Sequence, residues 1–223
     1  MPTFIDEKIQ GFEYEVKEGE TYSLRLASFR QFPNVSICIK VQNNGTFDGA
    51  FADFSRDSGT FNLTIELLGD GAKATWHYAG LCDEESRKIV DTSVDHLSPR
   101  SKAEVSQYGI AKDHGQLTFV GTSHIHNGMK GSATAQKEKI IVFDKGAVGK
   151  CSPILKIDEN DVAASHSAIV GKLSDEHLFY LLSRGIELEN AKRLMTLGYI
   201  RPIVEYFGQD TAQEILNHLE AGL

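Results

Sequence analysis

The segment Phe61-Asn62-Leu63-Thr64-Ile65-Glu66-Leu67 alternates apolar and polar residues at every step. In an extended chain successive side chains point to opposite faces, so Phe61, Leu63, Ile65 and Leu67 share one face and Asn62, Thr64 and Glu66 the other. That is the signature of a strand with one buried side. Ser36 to Val41 repeats it, with Ile37, Ile39 and Val41 on one face and Cys38 grouped with Ser36 and Lys40 on the opposite one. Outward from these two segments, from Phe12 to about Ser165, the chain reads as short strands separated by turn signals. These are Asn44-Gly45, Ser58-Gly59, Asp70-Gly71, Gly80, Ser98-Pro99, His114-Gly115, Asn127-Gly128, Lys145-Gly146 and Glu159-Asn160. Such spacing suits a sandwich, a barrel or a β-solenoid, and periodicity alone does not choose among them. The absence of a fixed-length repeat counts against a regular solenoid but leaves room for an irregular one with unequal coils.

After Gly171 the pattern becomes helical. Ser174 can cap a helix running from Asp175 through Leu182 and stopped by Gly185. A second is expected near Leu188 to Leu197, ending at Gly198, a third beginning at Pro202, and a fourth from about Asp210 to Leu219 with Ala212, Ile215, Leu216 and Leu219 as its apolar stripe. Roughly 50 residues are marginal for an independent core, so these helices are expected to pack on the β part or on a partner.

The 223 residues are 41% hydrophobic and 24% charged, an ordinary folded composition. With 23 basic against 31 acidic residues the formal charge is −8, which disfavours nucleic acid as a partner. Three scattered cysteines, Cys38, Cys82 and Cys151, make no disulfide framework. No stretch approaches the roughly 20 apolar residues of a membrane span, and the expected location is the cytoplasm. Phosphate loops of the G-x-x-x-x-G-K-[ST] kind and the G-x-S-x-G elbow are both missing, so nucleotide hydrolysis and α/β-hydrolase chemistry have no foothold.

Four constellations remain. His124 and His126 form an H-x-H pair whose imidazoles an extended strand aims to one side; two metal ligands are conceivable, but two polar outward residues beside a turn are the plainer reading. Trp76-His77-Tyr78 reads as core packing before it reads as a stacking platform. The acidic runs Asp83-Glu84-Glu85 and Asp158-Glu159-Asn160-Asp161 have no calcium-ligand spacing and suit turns. Last, His166 lies between small residues where the β pattern gives way to helices.

The segments around His166 carry a resemblance. Ser152-Pro153-Ile154-Leu155-Lys156-Ile157, Asp161-Val162, Ala164-Ser165-His166-Ser167-Ala168, Val170-Gly171-Lys172-Leu173 and Leu178 to Ile186 resemble the SufB/SufD family of iron–sulfur cluster assembly proteins. Val94-Asp95-His96-Leu97-Ser98-Pro99 and Ala191 to Ile203 match two further family segments in order and spacing. The resemblance implies a mainly β protein: a right-handed parallel β-helix, an irregular β-solenoid over residues 1–170, followed by a small α-helical domain over 171–223. It also implies a non-enzymatic scaffold of a SUF-type assembly complex. Pairing would run through the β-helix, with a SufB/SufD-type subunit or a second copy, and a SufC-type ATPase would dock on the C-terminal helices, where Phe179, Tyr180, Arg184, Gly185, Arg193, Tyr199 and Pro202 match the family's segments.

Three departures qualify it. Family members carry a long segment before the β-helix, whereas here the β pattern begins within about a dozen residues, so a function housed there is expected to be absent. The family's C-S-H becomes Ala164-Ser165-His166, which keeps the imidazole and loses the thiol. A family cysteine that helps hold a nascent cluster against the histidine across the dimer interface falls near Glu138. The expected iron or transient cluster site is therefore His166 with Glu138, and Cys151 as the nearest thiol, a set better suited to iron entry than to a stable cluster. The rival expectation is a partner-binding or regulatory β-helix that has lost cluster chemistry.

Overall fold

The computed structural model describes residues 3–5 and 9–222. Among the described residues thirteen strands, numbered in chain order, alternate between two sheets. The first sheet holds β1 (Thr3–Ile5), β3 (Thr21–Ser28), β5 (Thr46–Asp53), β7 (Lys73–Cys82), β9 (Lys102–Ala111), β11 (Ala133–Val142) and β13 (Ala163–Gly171), adjacent in that order. The second holds β2 (Phe12–Val16), β4 (Val35–Val41), β6 (Gly59–Leu67), β8 (Arg87–His96), β10 (Gln116–Ile125) and β12 (Val148–Ile157). Every pairing is parallel, from β1 with β3 to β11 with β13. Each coil thus gives one strand to each sheet, and the chain winds into a β-solenoid of about six turns. Hydrogen bonds from one coil to the next span 26 residues at Ser36–Asn62, within β4 and β6, and 31 at the Asp113–Asp144 turn, so the coils lengthen and no fixed repeat is legible.

The alternation of Phe61 to Leu67 and of Ile37, Ile39 and Val41 holds: all seven apolar side chains are buried in the lumen between the sheets. There Phe61 stacks on Trp76 at 5.7 Å and Tyr78 meets Phe119 edge-on at 5.5 Å, so two members of the Trp76-His77-Tyr78 cluster are core. Gly80, read as a turn, lies instead inside β7. Its place is lumenal: a Cβ there would come within 2.2 Å of the Tyr78 hydroxyl, so the missing side chain makes room for the tyrosine. Turns at one edge stack as a ladder, with backbone N–H groups of Gly19, Asn44, Gly71, Arg100 and Gly131 each donating to a carbonyl one coil further on at 2.7–3.2 Å. All five have φ between 52° and 72°, the left-handed region that Gly and Asn tolerate best.

Three helices follow: α1 (Asp175–Ser183), α2 (Leu188–Val204) and α3 (Gln209–Gly222). The Ser174 cap is present, its hydroxyl accepting from the His177 amide at 3.3 Å, and Gly185 follows the end of α1 at φ 83°. The expected break at Gly198 and new helix at Pro202 do not occur; α2 runs through both. Proline costs a helical hydrogen bond, but Ile200, Ile203 and Val204 are buried against the first sheet, and that packing carries the helix past it. The helices pack on the outer face of the first sheet, where Ala27, Ala50, Ala52 and Ala79 present a surface flat enough for close approach. Arg25 fixes the contact, donating from Nε to the Tyr206 carbonyl at 2.7 Å while its guanidinium pairs with Asp48 at 2.5 Å. His77 faces the same way and stacks on Tyr206 at 3.8 Å. No helix among the described residues is long and apolar enough to cross a membrane.

One polar contact lies deep in the lumen. Lys88 and Asp53 are both fully buried and paired at 2.5 Å; the ammonium also donates to the Ser55 carbonyl at 2.6 Å and the Leu81 carbonyl at 2.8 Å. Burial raises the Asp53 carboxyl and the adjacent ammonium counters part of that rise. A pair of this kind adds little over an apolar pair, but losing one partner strands the other. Asp53→Ala is expected to cost about 3–5 kcal/mol in urea unfolding, whereas joint Asp53→Leu and Lys88→Met recovers most of the loss. Equal losses in the single and double variants would contradict this.

Candidate functional site

The lumen changes character along the solenoid. The early coils fill it with aromatic rings, whereas the later ones place Thr92, Gln107, Ser123, Thr134, Gln136 and Glu138 inside. Ser123 accepts from Thr134 at 3.0 Å and from Gln136 at 2.7 Å, yet Gln107, the Gln136 carbonyl oxygen and both Glu138 oxygens complete no hydrogen bond. Glu138 fits there because β10 carries glycine opposite it: a Cβ on Gly121 would lie 2.3 Å from Glu138 Oε1. Burial pushes the Glu138 carboxyl up to about 7, offset only slightly by the nearby Ser152 amide.

Cys151 pairs in register with the buried Phe119 and packs against the lumen core. Burial, and after it the charge of Glu138, pushes its thiol up to about 12. Without a metal ion it is a neutral thiol, and an ion binding there would have to displace that proton. His166 lies on β13, the last strand of the first sheet, in register with the inward-facing Gln136; Ala164 and Ala168 pair with Thr134 and Glu138. Alternation puts Ala164, His166 and Ala168 on the lumen side, exposed where no further described coil covers them. The three predicted site residues thus share the C-terminal end of the lumen, with Glu138 and Cys151 close enough to interact. The donor set does not fit a cluster by itself: it offers a single thiol, and Ala164 occupies the face position beside His166 where a second would serve.

A second grouping lies outside, on the face of the second sheet opposite the lumen. His124 and Asp95 are in register on β10 and β8, and His126 follows β10. His126 Nε2 is 3.2 Å and His124 Nδ1 3.8 Å from Asp95 Oδ1, and His124 Nε2 is 2.7 Å from Asp158 Oδ2. The rings lie against each other at a tilt of 30°, with centroids 3.6 Å apart. The strand reading had both imidazoles outward, as they are, but missed the carboxylates, because Asp95 and Asp158 are neighbours only through coil stacking. His96, next to Asp95, points inward. It is fully buried and bonded to Ser101 at 2.8 Å, and burial pushes its imidazole down to about 4. The run Asp158 to Asp161 otherwise serves its turn, Glu159 accepting from the Gly128, Asn160 and Asp161 amides. Asp83 and Glu84 pair with Arg56 at 3.5 and 3.0 Å.

Glu138 supplies a pH signature. Its folded-state value of about 7 lies above the 4.5 of the free side chain, so the folded protein holds this proton longer than the unfolded chain. The associated stability is complete below pH 4.5 and is lost as pH rises through 7. Glu138→Gln is expected to leave stability at pH 4.5 nearly unchanged and to raise it at pH 8 by roughly 1–2 kcal/mol, after allowance for solvent screening. Thermal unfolding of both proteins across that range checks the sign.

Comparison with known proteins agrees with this architecture. The family described as SUF system FeS cluster assembly, SufBD core domain, matches residues 21–199. The iron–sulfur cluster assembly protein SufD of Bacillus subtilis is 33% identical over 141 residues, which make up 63% of this chain and 32% of that protein. SufB of the same organism is 26% identical over 149 residues, covering 67% of this chain and 32% of SufB. A SufBD family protein of Mycobacterium tuberculosis is 25% identical over 156 residues, 70% of this chain and 18% of that protein. The chain thus spans about a third or less of the length of these relatives. With a two-sheet parallel solenoid, three C-terminal helices and a family match running from Thr21 to Tyr199, the chain belongs to the SufB/SufD family of SUF-system iron–sulfur cluster assembly proteins.

Proposed function

We propose that this protein is a non-enzymatic scaffold subunit of a SUF-type assembly complex, with residues 1–170 as its pairing unit and 171–223 as the dock for a SufC-type ATPase. The observation that carries the docking half is α1. None of its residues is buried, and Phe179 and Tyr180 are 72% and 55% exposed. Large apolar side chains at that exposure are what a partner surface covers. Arg184 lies 5.2 Å over the Tyr180 ring and Gly185 turns the chain, so both belong to the same face. Pro202 is exposed on α2, whereas Arg193 pairs with Glu220 and Tyr199 packs against Tyr108 and under Lys139. These last two shape the dock from behind. A cavity of about 550 Å³, lined among others by Ile169, His177, Leu181, Met195 and Tyr199, separates α1 from the last coil and leaves that helix room to adjust.

The pairing half rests on the uncovered end of the solenoid. β12 and β13 are edge strands, and Val148, Ile154, Ile169 and Val170 are exposed along them at 41–50%. Unpaired parallel edges with apolar side chains favour a partner strand. A second subunit seated there would meet His166 and could bring the thiolates that this chain lacks. The single thiol of Cys151 and the alanine at position 164 favour, as a second reading, a subunit that pairs and docks the ATPase without holding iron.

Co-expression with the SufC-type ATPase of its own organism is expected to give a complex that purifies intact, and Phe179→Ala with Tyr180→Ala to abolish it without lowering the melting temperature. Association unaffected by that double change removes the docking role. Anaerobic reconstitution of the assembled complex with iron and sulfide is expected to retain less iron in His166→Ala; equal retention leaves the second reading.

A further inference from the structure

We propose that Asp95, His124 and His126 form an exchangeable site for one divalent first-row transition ion on the outer face of the second sheet. It lies apart from His166 and Glu138, which belong to the lumen, and does not depend on the scaffold reading. One ligand atom from each of the three residues lies within 4.8 Å of the other two. Two ligand atoms about 2.0–2.1 Å from a tetrahedral ion are about 3.3 Å apart. The 3.2 and 3.8 Å separations of the two imidazole nitrogens from Asp95 Oδ1 bracket that value.

His126 Nε2 and Asp95 Oδ1 share a hydrogen bond at 3.2 Å that an ion would replace, and the hydrogen bonding of His124 favours that ion. Asp158 accepts from His124 Nε2 at 2.7 Å, so that nitrogen carries the proton. In the neutral ring Nδ1 is then a bare lone pair facing the Asp95 carboxylate, and two acceptors confront each other. A cation placed between them relieves this. The exposed Lys156 flanks His124 in register on β12. A metal ion on Nδ1 uses the lone pair, and the Asp158 contact becomes the outer carboxylate that orients a ligating histidine. Lys156 opposes any cation, but Asp95 and Asp158 supply two negative charges against it. Two nitrogens and one oxygen suit Zn²⁺, Co²⁺ or Fe²⁺ and not Mg²⁺ or Ca²⁺, which require more oxygen ligands. With Asp95, His124 and His126 only partly buried, solvent can complete the coordination and the ion can exchange.

Titration of the metal-free protein with Co²⁺, followed by visible absorption and calorimetry, is expected to show one ion per chain. His126→Ala, Asp95→Asn and His124→Gln should each weaken binding at least tenfold, and Asp158→Asn by about 10–100-fold through loss of the orienting carboxylate. His166→Ala and Cys151→Ser should leave it unchanged, and excess Mg²⁺ should not compete. All four site changes are at partly or fully exposed positions, and circular dichroism verifies that each variant is folded. Absence of saturable binding below about 100 μM, or binding that survives His126→Ala and Asp95→Asn alike, overturns the proposal. Binding lost in His166→Ala instead assigns the ion to the lumen end and equally overturns it.

Discussion

In-register parallel stacking of one coil on the next is the constraint from which the rest of this molecule follows. Each interior strand satisfies its backbone donors and acceptors on the coils before and after it, and the stacked left-handed turn positions from Gly19 to Gly131 keep successive coils from slipping. A one-residue slip would exchange lumen for solvent along a whole strand. It would turn Glu138 outward, carry Ser123 out of its contact with Gln136, and take Asp95 away from the two histidines. The register that buries the aromatic core is the same register that assembles both groupings of chemical side chains.

The two faces of the first sheet show how burial is divided. In β5, Phe47 and Phe51 fill the lumen while Ala50 and Ala52 lie under the helices, so consecutive residues are buried for different reasons. Alanine on the outer face lets the helices approach, and their packing takes α2 through Pro202. Toward the C-terminal end that economy changes. The lumen becomes polar, the Gln107 amide, the Gln136 carbonyl oxygen and the Glu138 carboxyl oxygens lack protein partners, and the edge strands β12 and β13 carry exposed aliphatic side chains. Polar groups aimed inward and apolar groups left outside reverse the usual arrangement there, which supports the proposed pairing through this end of the solenoid.

Much of the fold was legible along the chain. The alternation of Phe61 to Leu67 placed a strand and its buried face correctly, because neighbouring residues within one strand decide that pattern. Ser174 and Gly185 bounded α1 for a similar reason, since caps act over one turn of helix. Gly80 was misread because a glycine that accommodates a tyrosine side chain looks, in sequence, like one that permits a turn. Pro202 was misread because local propensity disfavours an interior proline, and the burial that overrides it comes from strands far away in sequence. His166, Glu138 and Cys151 were reached through family resemblance. Their shared face needed the pairing of β11 with β13 and of β10 with β12.

The sequence by itself determined which side chains each strand turns inward, where helices replace strands, and which family the segments around His166 resemble, because all three are written in spacings of a few residues. Only the tertiary structure decided which coil lies beside which. That choice set Asp95 and Asp158 against the His124–His126 pair and left Cys151 beside a buried carboxyl. It depends on stacking across unequal coils, and such distances leave no period in the chain for the eye to follow.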